Sequence, residues 1–172
     1  MISEPEALLL LRKYLASEQR IAHSIIVADF AYGLALRIHT AHPDLPLDPA
    51  KVKIGALLHD IGRGREGDHE LNSIEILKQE GLPEIAAIVV HGTIYEIMRL
   101  RGRDDPELLP RSLGNKIVAY ADARCKDRLM SLQERWNELS VRRKTETEKI
   151  ASLRIAKERF FAIERELMEL TS

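Results

Sequence analysis

Apolar residues recur along this chain at intervals of three and four, the spacing of a helix face. No segment alternates apolar and polar residues as a half-buried strand would. Ser3-Glu-Pro-Glu6 has the form of a capping box and predicts a helix from there to about Ala16. A second helix is predicted from Ser17 to about Thr40, with Ile21, Ile25, Ala28, Tyr32 and Ala35 on its inner face. Prolines interrupt the pattern over 42–49, after which Asp48 and Pro49 supply the N-cap and first residue of a third helix ending near Asp60. Gly62, Gly64 and Gly67 break the chain there. A fourth helix is expected from about Asp68 to Glu80, with Gly81 as its C-terminal cap. A fifth starts at Leu82-Pro83, carries His91 and runs towards Leu100. After a charged loop from Arg101 to Pro110, one long helix is predicted over Leu113 to about Leu139 and a last one over Arg142 to Leu170. The pattern is that of one all-α domain over residues 1–172, a helical bundle with a long C-terminal helix.

The last helix carries an apolar stripe of Ile150, Leu153, Ala156, Phe160, Ile163, Leu167 and Leu170. Such a stripe is the usual means by which a helix joins its own core, and the alternative use is a homodimer seam.

Composition narrows the function classes. A chain of 172 residues is long enough for one domain with a sizeable core. A hydrophobic share of 45% with only 5% aromatics favours packed helices over sheet. The formal net charge of −1 provides no global field for nucleic acid or an anionic membrane, though it is compatible with a local basic pocket. Aromatic platforms for single-stranded nucleic acid are also scarce. Cys125 is the single cysteine, so no intrachain disulfide can form. With no signal-like N-terminal pattern, the expectation is a reducing cytoplasm. The longest apolar runs, such as Ile85 to Val90, fall short of a bilayer span.

The chemistry concentrates in His59-Asp60, which closes the apolar run Ile54-Gly-Ala-Leu-Leu-His-Asp-Ile-Gly-Arg63. A carboxylate buried there needs a partner, because an unpaired buried charge costs several kcal/mol. A divalent metal accepts imidazole and carboxylate at once. Neighbours on a regular helix diverge by about 100°, so His59 and Asp60 can share an ion only beyond the helix end. His23 and Asp122 likewise place ligand-type side chains within apolar helical segments. For Asp122 the competing reading is an ion pair with Lys126 at i+4. His39 and His42, at a helix end and in a proline-rich loop, read as surface residues.

His23, His59-Asp60 and Asp122, in this order, with His-Asp-Ile-Gly-Arg and Ala-Tyr-Ala-Asp around them, resemble the HD-domain superfamily of metal-dependent phosphohydrolases, in the form of a small stand-alone HDIG-type member. The resemblance covers about Arg20 to Arg135, with 142–170 as a helical extension. It implies metal ligation by His23, His59, Asp60 and Asp122. The segments Asp68-His69-Glu and Ile88-Val-Val-His91 are similar to those of members that use two metals, in which Asp60 would bridge the ions. Gly92 departs from relatives that carry a further histidine there, which leaves one ion, with His69 and His91 as supporting or phosphate-binding groups beside it, as the alternative. Arg63, with Lys116 in support, would neutralise a phosphate oxygen, and Asp60 would also help orient a water. Imidazole-rich ligation suits Mn, Fe, Co, Ni or Zn. The implied activity is hydrolysis of a phosphomonoester or phosphodiester on a nucleotide or another small phosphorylated molecule. The alternative is a non-catalytic HD-like regulatory module that binds a nucleotide or a protein.

Overall fold

The computed structural model describes residues 2–171, and among them the regular elements are all helices, with no strand. Helix α1 spans Glu4–Tyr14 and opens on the capping box, with Ser3 Oγ accepting from the Glu6 N–H and Glu6 accepting from the Ser3 N–H at 2.7 Å. Helix α2 (Glu18–Ala41) is capped by Ser17. Helix α3 (Pro49–Leu58) is capped by Asp48, which accepts from the Ala50 and Lys51 N–H groups at 2.9 and 3.1 Å. Each cap satisfies amides that the first turn leaves without helical partners.

A 3-10 turn over Ile61–Gly64 follows α3, then α4 (His69–Gln79), which Gly81 ends with a positive φ of 75°. The short α5 (Pro83–Ala86) and α6 (Ile94–Leu100) lead to α7 (Leu113–Arg124), α8 (Leu132–Arg142) and α9 (Thr147–Glu169).

Two expected helices are broken in the fold. The predicted fifth helix is α5 and α6, and the intervening chain, which carries His91, is not helical. Its backbone groups are taken by distant side chains. Asn115 Nδ2 donates to the Ile88 and Val90 carbonyls at 2.9 and 2.6 Å, and Glu70 accepts from the His91 and Gly92 N–H groups at 3.1 and 2.9 Å. The predicted long helix over 113–139 is α7 and α8. Between them Cys125 bridges Leu129, and Met130 donates to the Arg124 carbonyl at 2.8 Å. Ser131 and Glu134 then form a second capping box that starts α8.

Helix α2 is the central element, packed on α3 and α7. Its buried face is Ile21, Ser24, Val27, Ala28, Ala31, Leu34, Ala35 and Ile38. Ile25, expected inside, is instead 38% exposed. By length and composition α2 could cross a membrane, which the short apolar runs of the sequence did not indicate. Here it is a core helix on which much of the fold is built.

The α9 stripe is spent within the chain. Leu153, Ala156, Phe160, Ile163 and Leu167 are buried, and Ile150 and Leu170 pack against the same core. Trp136 of α8 lies 5.0 Å from the Phe160 ring and 6.3 Å from that of Phe161. Together α8 and α9 form one wall of a cleft whose floor is the histidine cluster.

Candidate metal centre

Helix α3 ends at Leu58, so His59 is its C-cap and Asp60 already leaves the helical path, with φ −100° and ψ 11°. That turn lets two sequence neighbours face one point. His59 and Asp60 are fully buried, at 0% and 2% exposure. His23 comes from α2, Asp122 from the last turn of α7, His69 from the start of α4, and His91 from the non-helical connection.

Three of the imidazoles are oriented alike. Nδ1 of His23, His59 and His91 donates to the carbonyls of Lys126, Ala56 and Val89 at 2.9, 2.6 and 2.8 Å. That fixes the tautomer and turns each Nε2 lone pair inward, the usual arrangement of metal-binding histidines. His23 Nε2 and His59 Nε2 lie 3.0 and 3.4 Å from Asp122 Oδ1. His91 Nε2 and His69 Nε2 lie 3.4 and 3.5 Å from Asp60 Oδ1, while Asp60 Oδ2 faces His59 at 3.7 Å. Asp60 therefore sits between two ligand groups, His23-His59-Asp122 on one side and His69-Glu70-His91 on the other.

Four atoms decide whether a metal fits. His59 Nε2, Asp60 Oδ1, His69 Nε2 and His91 Nε2 are buried without a hydrogen-bond partner. Orphaned buried polar atoms are costly, and four converging ones form a ready-made ligand set for a divalent ion. The nitrogen and carboxylate donors suit a transition metal.

The electrostatics are those of a charged cluster that is largely buried at the floor of a cleft. Burial pushes the Asp60 carboxyl up, but the facing His59, His91 and Arg63 bring it well below its ordinary value. Asp122 behaves the same way through His23 and His59. Burial lowers the His91 imidazole, yet Glu70, Asp60 and Asp122 outweigh it and push the ring up to about 10. A proton on His91 thus serves the place a metal would take, since both compete for one lone pair. Burial, with His91 and Arg63, lowers His69 to about 4, so that ring is neutral at pH 7.

Arg63 Nε pairs with Asp60 Oδ2, and the residue lines the cleft beside the cluster. Lys116 departs from the sequence reading. Its Nζ pairs with both oxygens of Glu166 on α9 at 2.7 and 2.8 Å, and it does not line the cleft. Nor does Asp122 pair with Lys126; that ammonium lies 3.6 Å from Glu138. His39 is half-buried and His42 exposed, both outside the cluster.

Glu70 is the group that sequence reasoning missed. It is 4% exposed and braces the His91-Gly92 backbone, although in sequence it looks like an ordinary first-turn acid of α4. Glu70→Gln keeps the shape and removes the charge. We expect metal affinity to fall about 10-fold, the low end for loss of a supporting contact, measured by competition with a chelating dye.

The domain model for the HD domain matches residues 20–127, more than half of the chain. The chain belongs to the HD-domain family. It is 36% identical over 126 residues to an uncharacterized protein of Methanocaldococcus jannaschii, covering 69% of this chain and 73% of that one. It is also 30% identical over 139 residues to a tRNA (cytidine(56)-2'-O)-methyltransferase of Picrophilus torridus. That match covers 76% of this chain but only 39% of the methyltransferase. No solved structure gives a significant match. A buried His/Asp cluster of this kind is typical of HD domains, whose members are typically metal-dependent phosphohydrolases.

Proposed function

We propose that this HD-domain protein is a metal-dependent phosphohydrolase acting on a nucleotide or another small phosphorylated molecule. The observation that carries the reading is the convergence of three unpartnered buried imidazole nitrogens, of His59, His69 and His91, on Asp60, whose Oδ1 is itself unpartnered, at the floor of a cleft of about 640 Å³. That volume is in the range of small-molecule sites.

The residues divide the work. His23, His59, Asp122 and Asp60 would hold one ion, and Asp60, His69 and His91 a second. A second ion is favoured because the two Asp60 oxygens face different histidines. Such ions supply a nucleophilic water at neutral pH and neutralise charge on phosphoryl oxygens. Arg63 holds Asp60 in register and lines the cleft, where its remaining N–H groups would donate to a phosphate oxygen. The Asp60 carboxyl, raised by burial but held well below its ordinary range by His59, His91 and Arg63, would also orient a water by accepting its hydrogen bond. The apolar rim of Ile94, Ile97 and Leu153 limits water around the reacting phosphate.

The test is metal-reconstituted protein assayed on a phosphatase and phosphodiesterase panel of nucleoside monophosphates, cyclic nucleotides and dinucleoside polyphosphates. We expect turnover with Mn, Fe, Co, Ni or Zn and none after chelation. Absence of turnover across the panel with every metal would overturn the reading. Elemental analysis at saturating Mn²⁺ should give about two ions per chain, and His69→Ala about one. A wild-type stoichiometry of one would remove the second ion.

A further inference from the structure

The part of the cleft lined by α8 and the turn before it carries an excess of cations. Arg135 and Arg142 of α8, with Lys126 from the preceding turn, line the same cleft as the metal centre. Arg135, Glu138 and Arg142 share one helix face at i, i+3 and i+7. Arg135 Nη1 pairs with Glu138. Arg142 Nε and Lys126 Nζ lie 3.5 and 3.6 Å from the other Glu138 oxygen. Among the described residues, Glu138 is the one carboxylate within 4.0 Å of these three cations. Charge at this spot is two units positive in excess.

Arg135 makes the excess specific. The residue is 8% exposed, and its Nε is buried with no hydrogen-bond partner. A buried guanidinium N–H left unpaired is costly unless a ligand completes it. The neighbouring Arg142 guanidinium is pulled below its ordinary value by burial, and Arg135, Arg143 and Arg63 add to the effect against Glu138. Arg63 lines the same cleft as these α8 cations.

We propose that Arg135, Arg142 and Lys126 form a second anion subsite, which holds a second phosphate-like group of a substrate whose first phosphate lies at the metal centre. The substrate class is then a small molecule with two separated phosphates, such as a nucleoside bisphosphate, rather than a simple monoester. The subsite rests on the phosphohydrolase reading for the position of the first phosphate. Arg142 supplies reach, since its long side chain is 44% exposed. Arg135 supplies a fixed, desolvated N–H, which strengthens a charge-assisted hydrogen bond.

Alkane bisphosphonates with three to eight carbons between phosphorus atoms probe this directly, because C–P bonds resist hydrolysis. Calorimetry on the Mn²⁺-loaded full chain compares each with its matching monophosphonate. Two identical ends alone give a statistical ratio of about two, whereas simultaneous engagement of both subsites gives about 10-fold or more at the matching length. Arg142→Ala should return the ratio to about two, and Arg142→Lys should keep most of it. Glu138→Gln, which removes the shared carboxylate, should raise the ratio. That direction is opposite to the loss expected from structural damage, so this variant decides the matter if Arg142→Ala folds poorly. A wild-type ratio of about two at every length, or a ratio unchanged in Arg142→Ala and Glu138→Gln, overturns the subsite. Metal content and turnover are read separately, so a protein that hydrolyses phosphate esters yet shows no length preference loses only this inference.

Discussion

Asp60→Asn should reduce turnover at least about 1,000-fold, equivalent to about 4 kcal/mol of transition-state stabilisation, and should lower bound metal. The substitution preserves side-chain volume, so packing is left nearly unchanged. What it removes is the charge that His59, His69, His91 and Arg63 all face. Without that charge, Arg63 and the His91 imidazolium are left as cations in a dry site. Breaking a buried pair by removing one partner costs about 3–5 kcal/mol, so the metal-free variant should also melt earlier than wild type. Circular dichroism should still show a helical protein, because the core helices do not depend on Asp60. A variant with wild-type turnover on the best substrate would place the chemistry elsewhere.

Gly62→Ala should be the most damaging single-methyl change in the chain. A Cβ at Gly62 would sit 2.3 Å from the His69 carbonyl oxygen, 2.4 Å from the Ser73 nitrogen and 2.7 Å from Asn72 Cβ. Two of these are backbone atoms of α4, which cannot swing aside as a side chain can. The contact is further held by the Gly62 N–H, which donates to Ser73 Oγ at 3.0 Å. The added methyl must push α4 off the turn that carries Asp60. Overpacking of this kind costs about 3 kcal/mol. For a domain of this size that is about 10 °C in thermal midpoint, read by calorimetry. Because α4 carries His69 and Glu70, metal affinity should fall together with stability. Glycine here serves close approach, since its φ is not in the left-handed region.

Residues near in sequence announced much of this molecule. Helical periodicity, the Ser3-Glu6 box, the Asp48-Pro49 start and the Gly81 stop all act within a few residues, and the fold follows them. The four motif positions were legible for the same reason: a ligand-type side chain stands out against an apolar run. The Ser131-Glu134 box was legible as well, and reading it would have separated α8 from α7.

Other features have no local signature. The chain around His91 is non-helical because Asn115 and Glu70, distant in sequence, take its backbone hydrogen bonds. Glu70 looks like a solvated acid until α4 packs on that connection. Lys116 seemed suited to a phosphate, and the approach of α9 gives it to Glu166 instead. The α9 stripe fits a dimer seam or an intramolecular core equally well, and docking against the body of the chain is what buries it. Pattern along the chain determined most of the helices and marked out the side chains of the four motif positions. The packing of those helices decided which of those side chains meet, because burial, hydrogen-bond partners and local field are properties of neighbours that the chain brings together only on folding.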